Sequence, residues 1–519
     1  MSTEIESTEQ NLTAQGSVVA SMTGVSRLSG FLRDVVLSAV LGATAWADIF
    51  FVALRIPNFF RRLFAEGAFA QAFVPVLSEY RNAGDDNALR NFVRIVCGDF
   101  GVVLVVICAA GIAGASGLVW LFAPGFLDDP EKFDLTVDMV RVTFPYLAFI
   151  SLTAFAGSIL NSFHRYALPA ITPVLLNVSL IAAALIGMRF FETPVMALAW
   201  GVFAAGILQL IVQLPSLQRL HLLGIPRFDR RDRGVRKVGG LLVPAVFAAS
   251  VGQINILVGS ILASTLATGS ISWLYYSDRL MELPIGLLAI ALGTVLLPNL
   301  SRLQNQGDIS GFSSTLDWGV RMGILFGMPA AVALYVLAAP LVATVFYRGA
   351  MTAEDVLKTS AALQAFTVGL LPLILTKITA PGYFARQNTT TPFKYAGVSV
   401  AVNIVASLSM YSWLGHVGIA LATSLAAMVH CALLFRGLFV ESVYRPGRQV
   451  LRVLLSASAA SVALAGGLIW LDPGVDFWLV SGEVARIGEL SLLVGSASAA
   501  YFLVLALVGI RPNDLVHRV

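Results

Sequence analysis

The chain has 519 residues, of which 57% are hydrophobic and 12% charged, with a mean hydropathy of +0.81. That balance excludes a water-soluble enzyme and fits an all-α polytopic membrane protein, with room for roughly 14 helical spans of roughly 20 residues each. The formal charge of +4 points to no nucleic-acid partner, because the basic residues do not cluster on one water-facing surface.

The first 16 residues are polar and acidic and contain no Lys or Arg. They lack the cationic region of a cleavable signal peptide, so the first apolar segment is expected to be retained as a span. Apolar runs of spanning length follow near 18–42, 48–70, 95–122, 137–160, 168–190 and 195–214. A basic loop, RFDRRDRGVRK, occupies 227–237. Six more runs lie near 239–264, 270–298, 319–346, 359–384, 393–414 and 417–436, and two near 451–471 and 485–510. The expected organisation is an acidic tail (1–16), an N-terminal lobe (17–215), a basic cytoplasmic loop (216–237), a C-terminal lobe (238–437) and two further helices with a tail (438–519).

Positive loops tend to remain in the cytoplasm. With the N-terminus inside, about 20 of the 34 Lys and Arg fall in cytoplasmic loops, while about five, Lys132, Arg189, Arg348, Lys358 and Arg486, fall outside. Both termini are therefore expected in the cytoplasm. Landmarks also recur at an offset of about 223 residues: Pro75 with Pro298, Pro169 with Pro392, Phe122 with Phe346, and Gly125 with Gly349. An even number of spans separates the copies, so they are expected to be parallel repeats, a transporter architecture with a site between its halves.

Nine cations lie within or at the edge of predicted spans: Arg27, Arg33, Arg55, Arg61, Arg62, Arg141, Arg279, Arg321 and Lys377. An Arg at mid-bilayer costs at least about 2.5–3.5 kcal/mol, so these side chains are expected to face a watery interior. Arg141 and Arg321 are the exceptions, read as snorkelling towards a helix end. At about 1.5 Å of rise per residue, Arg27, Arg61 and Arg279 lie roughly 13–20 Å into their spans. The acids Asp34, Asp48, Glu66, Asp278 and Glu282 neighbour them, several at helical contact spacing. Arginine remains in excess on spans one, two and eight, as a site for a phosphate-bearing anion requires. Pro57 and Pro284 are expected to interrupt spans two and eight close to these arginines.

Three cysteines (Cys97, Cys108, Cys431) and scattered histidines show no metal-ligand spacing, and no GxxxxGK[ST] phosphate loop is present. No metal, cofactor or ATP hydrolysis is expected.

The stretch RIPNFFRRLFAEGAFAQAFVP (55–75) resembles the second-span signature of the MurJ/MviN lipid II flippase family. The resemblance continues in SMTGVSRLSGFLRD (21–34), GSISWLYYSDRLMELPIGLL (269–288), LDWGVR (316–321) and KITAPGYFARQNTTTP (377–392), and covers nearly everything after residue 17. It implies the fold of the MOP exporter superfamily, two six-helix lobes plus two C-terminal helices. The implied substrate is lipid II, the undecaprenyl-diphosphate-linked peptidoglycan precursor, carried from the inner to the outer leaflet of the bacterial cytoplasmic membrane by alternating access. The family's central-cavity arginines fall on Arg27, Arg33, Arg61 and Arg279. Gating or coupling positions fall on Asp48, Asn58, Glu66, Ser272, Asp278, Glu282 and Lys377.

The expected partners are lipid II, the bilayer and the cell-wall synthesis machinery, and the expected energy source is a sodium or proton gradient or the membrane potential. Two other readings remain open: a related exporter of another polyprenyl-linked oligosaccharide, and a polytopic polyprenyl-phosphate transferase. An Mg²⁺-dependent transferase would carry acidic clusters at a membrane edge, whereas the acids here are interleaved with arginine.

Overall fold

The computed structural model describes residues 2–64 and 68–510, with side chains from residue 21 onward except at 64–68, 247–249, 251, 289–291 and 294. It forms two compact units. Unit one, Met1–Thr265, holds α1 (Ser2–Leu41), α2 (Ala45–Phe64), α3 (Ala68–Asn82), α4 (Asp86–Ala113), α5 (Ala115–Phe122), α6 (Pro130–Thr143), α7 (Tyr146–Ser162), α8 (Ala167–Ile171), α9 (Pro173–Leu185), α10 (Met196–Arg219) and α11 (Arg233–Ser264). Unit two, Leu266–Val519, holds α12 (Ser270–Gln306), α13 (Ile309–Val336), α14 (Ala338–Phe346), α15 (Ala353–Thr367), α16 (Leu370–Phe384), α17 (Thr390–Leu414), α18 (His416–Val440), α19 (Arg448–Leu471), α20 (Val475–Val480) and α21 (Glu483–Leu507).

The sequence repeat reappears in helix boundaries and in the residues that set them. α4 and α13 start at 86 and 309 and end at 113 and 336, in both cases 223 residues apart. Each starts on an aspartate cap: Asp85 accepts from the amides of Asn87 and Ala88, and Asp308 from that of Gly311. Such caps satisfy amide donors that the first helical turn leaves unpaired. The caps of α6 and α15 recur likewise, as Asp129 and as Thr352 in a capping box with Asp355. Gly125 and Gly349 also correspond, yet for different reasons. A side chain at Gly125 would collide with the Ser264 backbone, whereas Gly349 has a φ of 60°.

In unit one, α10 packs on α7 and α9, α1 on α8 and α9, and α11 on α2 and α3. Phe69, Phe73, Phe92 and Phe155 form the centre of one buried cluster, with Phe69 stacked on Phe73 at a 5.3 Å ring separation. The basic loop docks on α4, because the Arg227 amide donates to the Arg94 carbonyl at 3.0 Å and Gly98 leaves room for the Arg227 backbone. In unit two, α17 packs on α18, α12 on α15 and α16, and α19 on both α13 and α21. Trp273 on α12 donates its indole N–H to Asp355 on α15 at 2.9 Å.

Among the described residues, nine helices are long and apolar enough to cross a membrane, or ten when the pair α15–α16, bent by 42°, counts as one. α1 and α2 fall short of that standard, and these are helices that carry Arg27, Arg33, Asp34, Asp48, Arg55, Arg61 and Arg62. Large apolar side chains such as Trp470, Val484 and Leu507 lie about four-fifths exposed, as suits a surface solvated by lipid.

One expectation about helix breaks is corrected. α2 runs through Pro57, and α12 runs through both Pro284 and Pro298. The interruptions lie elsewhere: at Gly114 between α4 and α5, at Leu337 between α13 and α14, and at the α15–α16 bend.

Candidate functional site in the charged spans

Unit one holds most of the predicted site. Arg27 is exposed on α1. Arg33, two turns further on, is buried. Its Nε and Nη2 donate to Asp34 Oδ1 at 2.9 and 2.7 Å, and its Nη1 donates to Asn177 Oδ1 on α9 at 3.0 Å. Asn177 in turn donates through Nδ2 to Ser29 Oγ at 2.8 Å. Arg33 therefore ties α1 to α9, and Asp34 pairs with its immediate neighbour rather than with Arg27. Asp48, at the start of α2, is buried with its carboxylate 3.6 Å from Lys132 Nζ on α6. The Lys132 ammonium also sits over the Phe126 ring, 4.2 Å from its centroid.

On α2, Arg55 is half-buried and Arg62 exposed. Arg61 is half-buried and donates from Nε to Asn58 Oδ1, one turn earlier, at 3.0 Å. Arg61 opens onto a cavity of about 220 Å³ inside unit one, lined also by Thr153, Ser158, Asn161, Gln209 and Gln213. Glu66 lies outside the described residues.

Unit two holds the rest. Ser272 is fully buried on α12. Asp278 is half-buried in the same helix. Arg279 donates from Nη1 to Glu282 Oε2 at 2.7 Å and lies over the Tyr275 ring, 4.8 Å from its centroid. The guanidinium thus sits between an aromatic face and a carboxylate one turn away. Lys377 is exposed on α16.

Of the two arginines read as snorkelling, Arg141 is half-exposed and pairs with Asp138 at 2.9 Å. Arg321 differs. It lies mid-way along α13, its side chain 14% exposed, with Nε 3.4 Å from Asp317 Oδ2. Asp317 also accepts from the Tyr444 hydroxyl at 3.2 Å and the Gly447 amide at 3.0 Å. Burial, and then the Asp317 carboxylate, hold the Tyr444 hydroxyl well above the usual phenol range. Arg321 is a structural anchor because a carboxylate four residues earlier on its own helix reaches it.

Sequence reasoning missed Asn177, Thr172, Gln209 and Gln213. A signal was available, since Gln209 and Gln213 stand four apart within the apolar run of α10 and so share one face. Among the described residues, no group of three or more His, Cys, Asp or Glu converges on a metal site.

The chain is similar to known proteins along nearly its whole length. The model of the family described as lipid II flippase MurJ matches residues 37–486. A probable lipid II flippase MurJ of Vibrio cholerae is 43% identical over 514 residues, 98% of each chain. A lipid II flippase MurJ of Burkholderia cenocepacia is 40% identical over 501 residues, covering 95% of this chain and 96% of its own. A solved structure of the lipid II flippase MurJ in an inward closed conformation superimposes with a TM-score of 0.81 at 26% identity, over 96% of this chain and 99% of that one. An inward-facing MATE transporter of the MOP superfamily shares the fold at a TM-score of 0.66 and 14% identity, over 82% of this chain and 98% of its own. A match that runs from the last turn of α1 into the first turn of α21, joined to relatives covered over nearly their whole length, leaves one assignment: the chain belongs to the MurJ lipid II flippase family.

Proposed function

We propose that this protein carries lipid II from the inner to the outer leaflet of the bacterial cytoplasmic membrane. The observation that carries the reading is Arg61, a guanidinium on α2 that lines a cavity inside unit one together with Thr153, Ser158, Asn161, Gln209 and Gln213. Charge of this kind is expensive in lipid and useful against a diphosphate, whose oxygens match the planar donors of arginine. The names and the extent of the relatives supply the identity of the cargo.

The head group must cross about 30 Å of hydrocarbon, while its polyprenyl tail stays in lipid. Arg27, Arg61 and Arg279 neutralise the diphosphate, and Arg33 fixes α1 so that Arg27 is correctly presented. The lobes at 17–215 and 238–437 rock to expose the site alternately to each side, with both termini in the cytoplasm. The helices α19 and α21 provide a groove for the tail. Asp48, Asn58, Glu66, Ser272, Asp278, Glu282 and Lys377 gate or couple this motion. A membrane potential, negative inside, favours outward movement of an anion by about 2.3 kcal/mol per charge per 100 mV.

The test is conditional depletion of the protein in cells complemented with Arg27→Ala, Arg61→Ala or Arg279→Ala, with lipid II accessibility at the outer leaflet measured directly. Each variant is expected to be made stably and to lose accessibility. Unchanged accessibility with stable protein refutes the assignment of the arginines.

A further inference from the structure

We propose that the cavity beside Arg61 is a second contact for the transported head group, taking hydroxyl or amide N–H donors that lie next to the diphosphate. The proposal rests on the lipid II reading and assigns the part of the cargo that this cavity holds.

The cavity wall is rich in acceptors whose donors are already spent. The Thr153 and Ser158 hydroxyls donate back along α7 to the carbonyls of Phe149 and Ala154, both at 2.8 Å, so each presents lone pairs. Thr172 decides the orientation of both glutamines. Its hydroxyl donates to the Leu168 carbonyl at 2.7 Å and so accepts from Gln213 Nε2 at 3.2 Å, while its own carbonyl accepts from Gln209 Nε2 at 3.3 Å. With one N–H of each amide held by Thr172, Gln209 and Gln213 turn Oε1 away from it. Both side chains are 1% exposed, and neither Oε1 accepts a hydrogen bond from any described residue. A buried acceptor left unpaired is costly, and a bound donor removes that cost once the amide turns its oxygen to the cavity.

Three kinds of ligand can offer positive hydrogen to such a wall: a cation, a hydroxyl or an amide N–H. Arg61 lines the same cavity and repels a cation, which leaves neutral donors. The same guanidinium favours a donor group attached to an anion. About 220 Å³ is below the roughly 300–1,000 Å³ of pockets that enclose a drug-sized ligand, so the cavity takes one ring or a short peptide segment and not a whole head group.

Gly157 provides a gentle way to block it. It lines the cavity, and a Cβ there would meet Pro169 Cβ at 3.5 Å and Gln213 Oε1 at 3.8 Å, which are ordinary contacts. Alanine is also the better helix former, so Gly157→Ala is expected to fold.

The test measures binding of three probes to the full-length protein in lipid nanodiscs: lipid II, its peptide-free undecaprenyl-diphosphate disaccharide, and undecaprenyl diphosphate. Gly157→Ala and the pair Gln209→Leu with Gln213→Leu are expected to weaken lipid II on the order of tenfold and leave undecaprenyl diphosphate unchanged. A matching loss for the disaccharide identifies sugar hydroxyls as the donors, and a loss confined to lipid II identifies peptide amides. Equal weakening of all three probes, or no change for any of them with folded Gly157→Ala protein, overturns the proposal. The transport reading fails separately, and takes the proposal with it, if the unsubstituted protein binds lipid II no better than phosphatidylglycerol.

Discussion

Arg33 Nη1 donates to Asn177 Oδ1 across 3.0 Å, joining two helices that are 144 residues apart in the chain. Both side chains are buried, so the bond works in a low-dielectric setting where a lost partner is felt. Asn177→Ala is expected to destabilise the protein by about 1.5–3 kcal/mol, the usual range for a hydrogen bond to a charged group. Arg33→Lys removes the fork that reaches Asp34 and Asn177 together and is expected to fall within the same range. Thermal unfolding in detergent measures both. Wild-type melting for Asn177→Ala would refute the anchoring role.

Asp48 and Lys132 separate structure from coupling. Their side chains are 2% and 10% exposed, and removing one partner of a buried pair costs about 3–5 kcal/mol. Asp48→Asn is therefore expected to lower the melting temperature, and Lys132→Met added to it to recover most of the loss. If transport by the double variant stays abolished while stability returns, Asp48 acts in coupling. If both return together, Asp48 is a packing partner of Lys132.

Asn58 orients Arg61 from one helical turn away. Asn58→Leu is expected to leave the protein folded and to reduce lipid II transport about tenfold, through loss of the charge-assisted bond that aims the guanidinium. Reconstituted vesicles with outer-leaflet labelling provide the readout.

Arg279 and Glu282 are partly exposed, and such pairs contribute about 0–1 kcal/mol to stability. Glu282→Gln is expected to leave the melting temperature within that margin and to tighten binding of undecaprenyl diphosphate, because one neighbouring negative charge is gone. Unaltered affinity would show that Arg279 does not face the diphosphate.

The Asp308 carboxylate is held below its usual range, first by the Gly311 amide and then by the Ser310 hydroxyl. Its folded pKa lies below its unfolded one. Its contribution is thus complete above the unfolded value and disappears as pH falls through the folded one. Asp308→Asn keeps the acceptor without the titration, so its melting profile is expected to be flatter than that of the unsubstituted protein at acid pH.

The arginines within apolar runs stood out because charge there is conspicuous in one dimension. The repeat was legible for a related reason: Pro and Gly landmarks such as Pro75 with Pro298 are local, and the helix boundaries follow the same spacing. What each charge touches was not legible. Arg33 looked like any other intramembrane cation, and Arg321 like a snorkelling one, until Asn177 and Asp317 were seen beside them. Gln209 and Gln213 escaped notice because an uncharged amide hardly alters the hydropathy of a helix, and their importance depends on how Thr172 consumes their N–H groups.

Composition and periodicity by themselves determined that the chain is helical, lives in a bilayer and repeats once, and they pointed to guanidinium groups within its charged helices, since each of these readings follows from transfer free energy and helix rise along the chain. Tertiary packing decided which guanidinium is an anchor and which opens on a cavity. That choice depends on partners from distant segments, and a hydrogen bond between α1 and α9 has no trace in the local pattern of either.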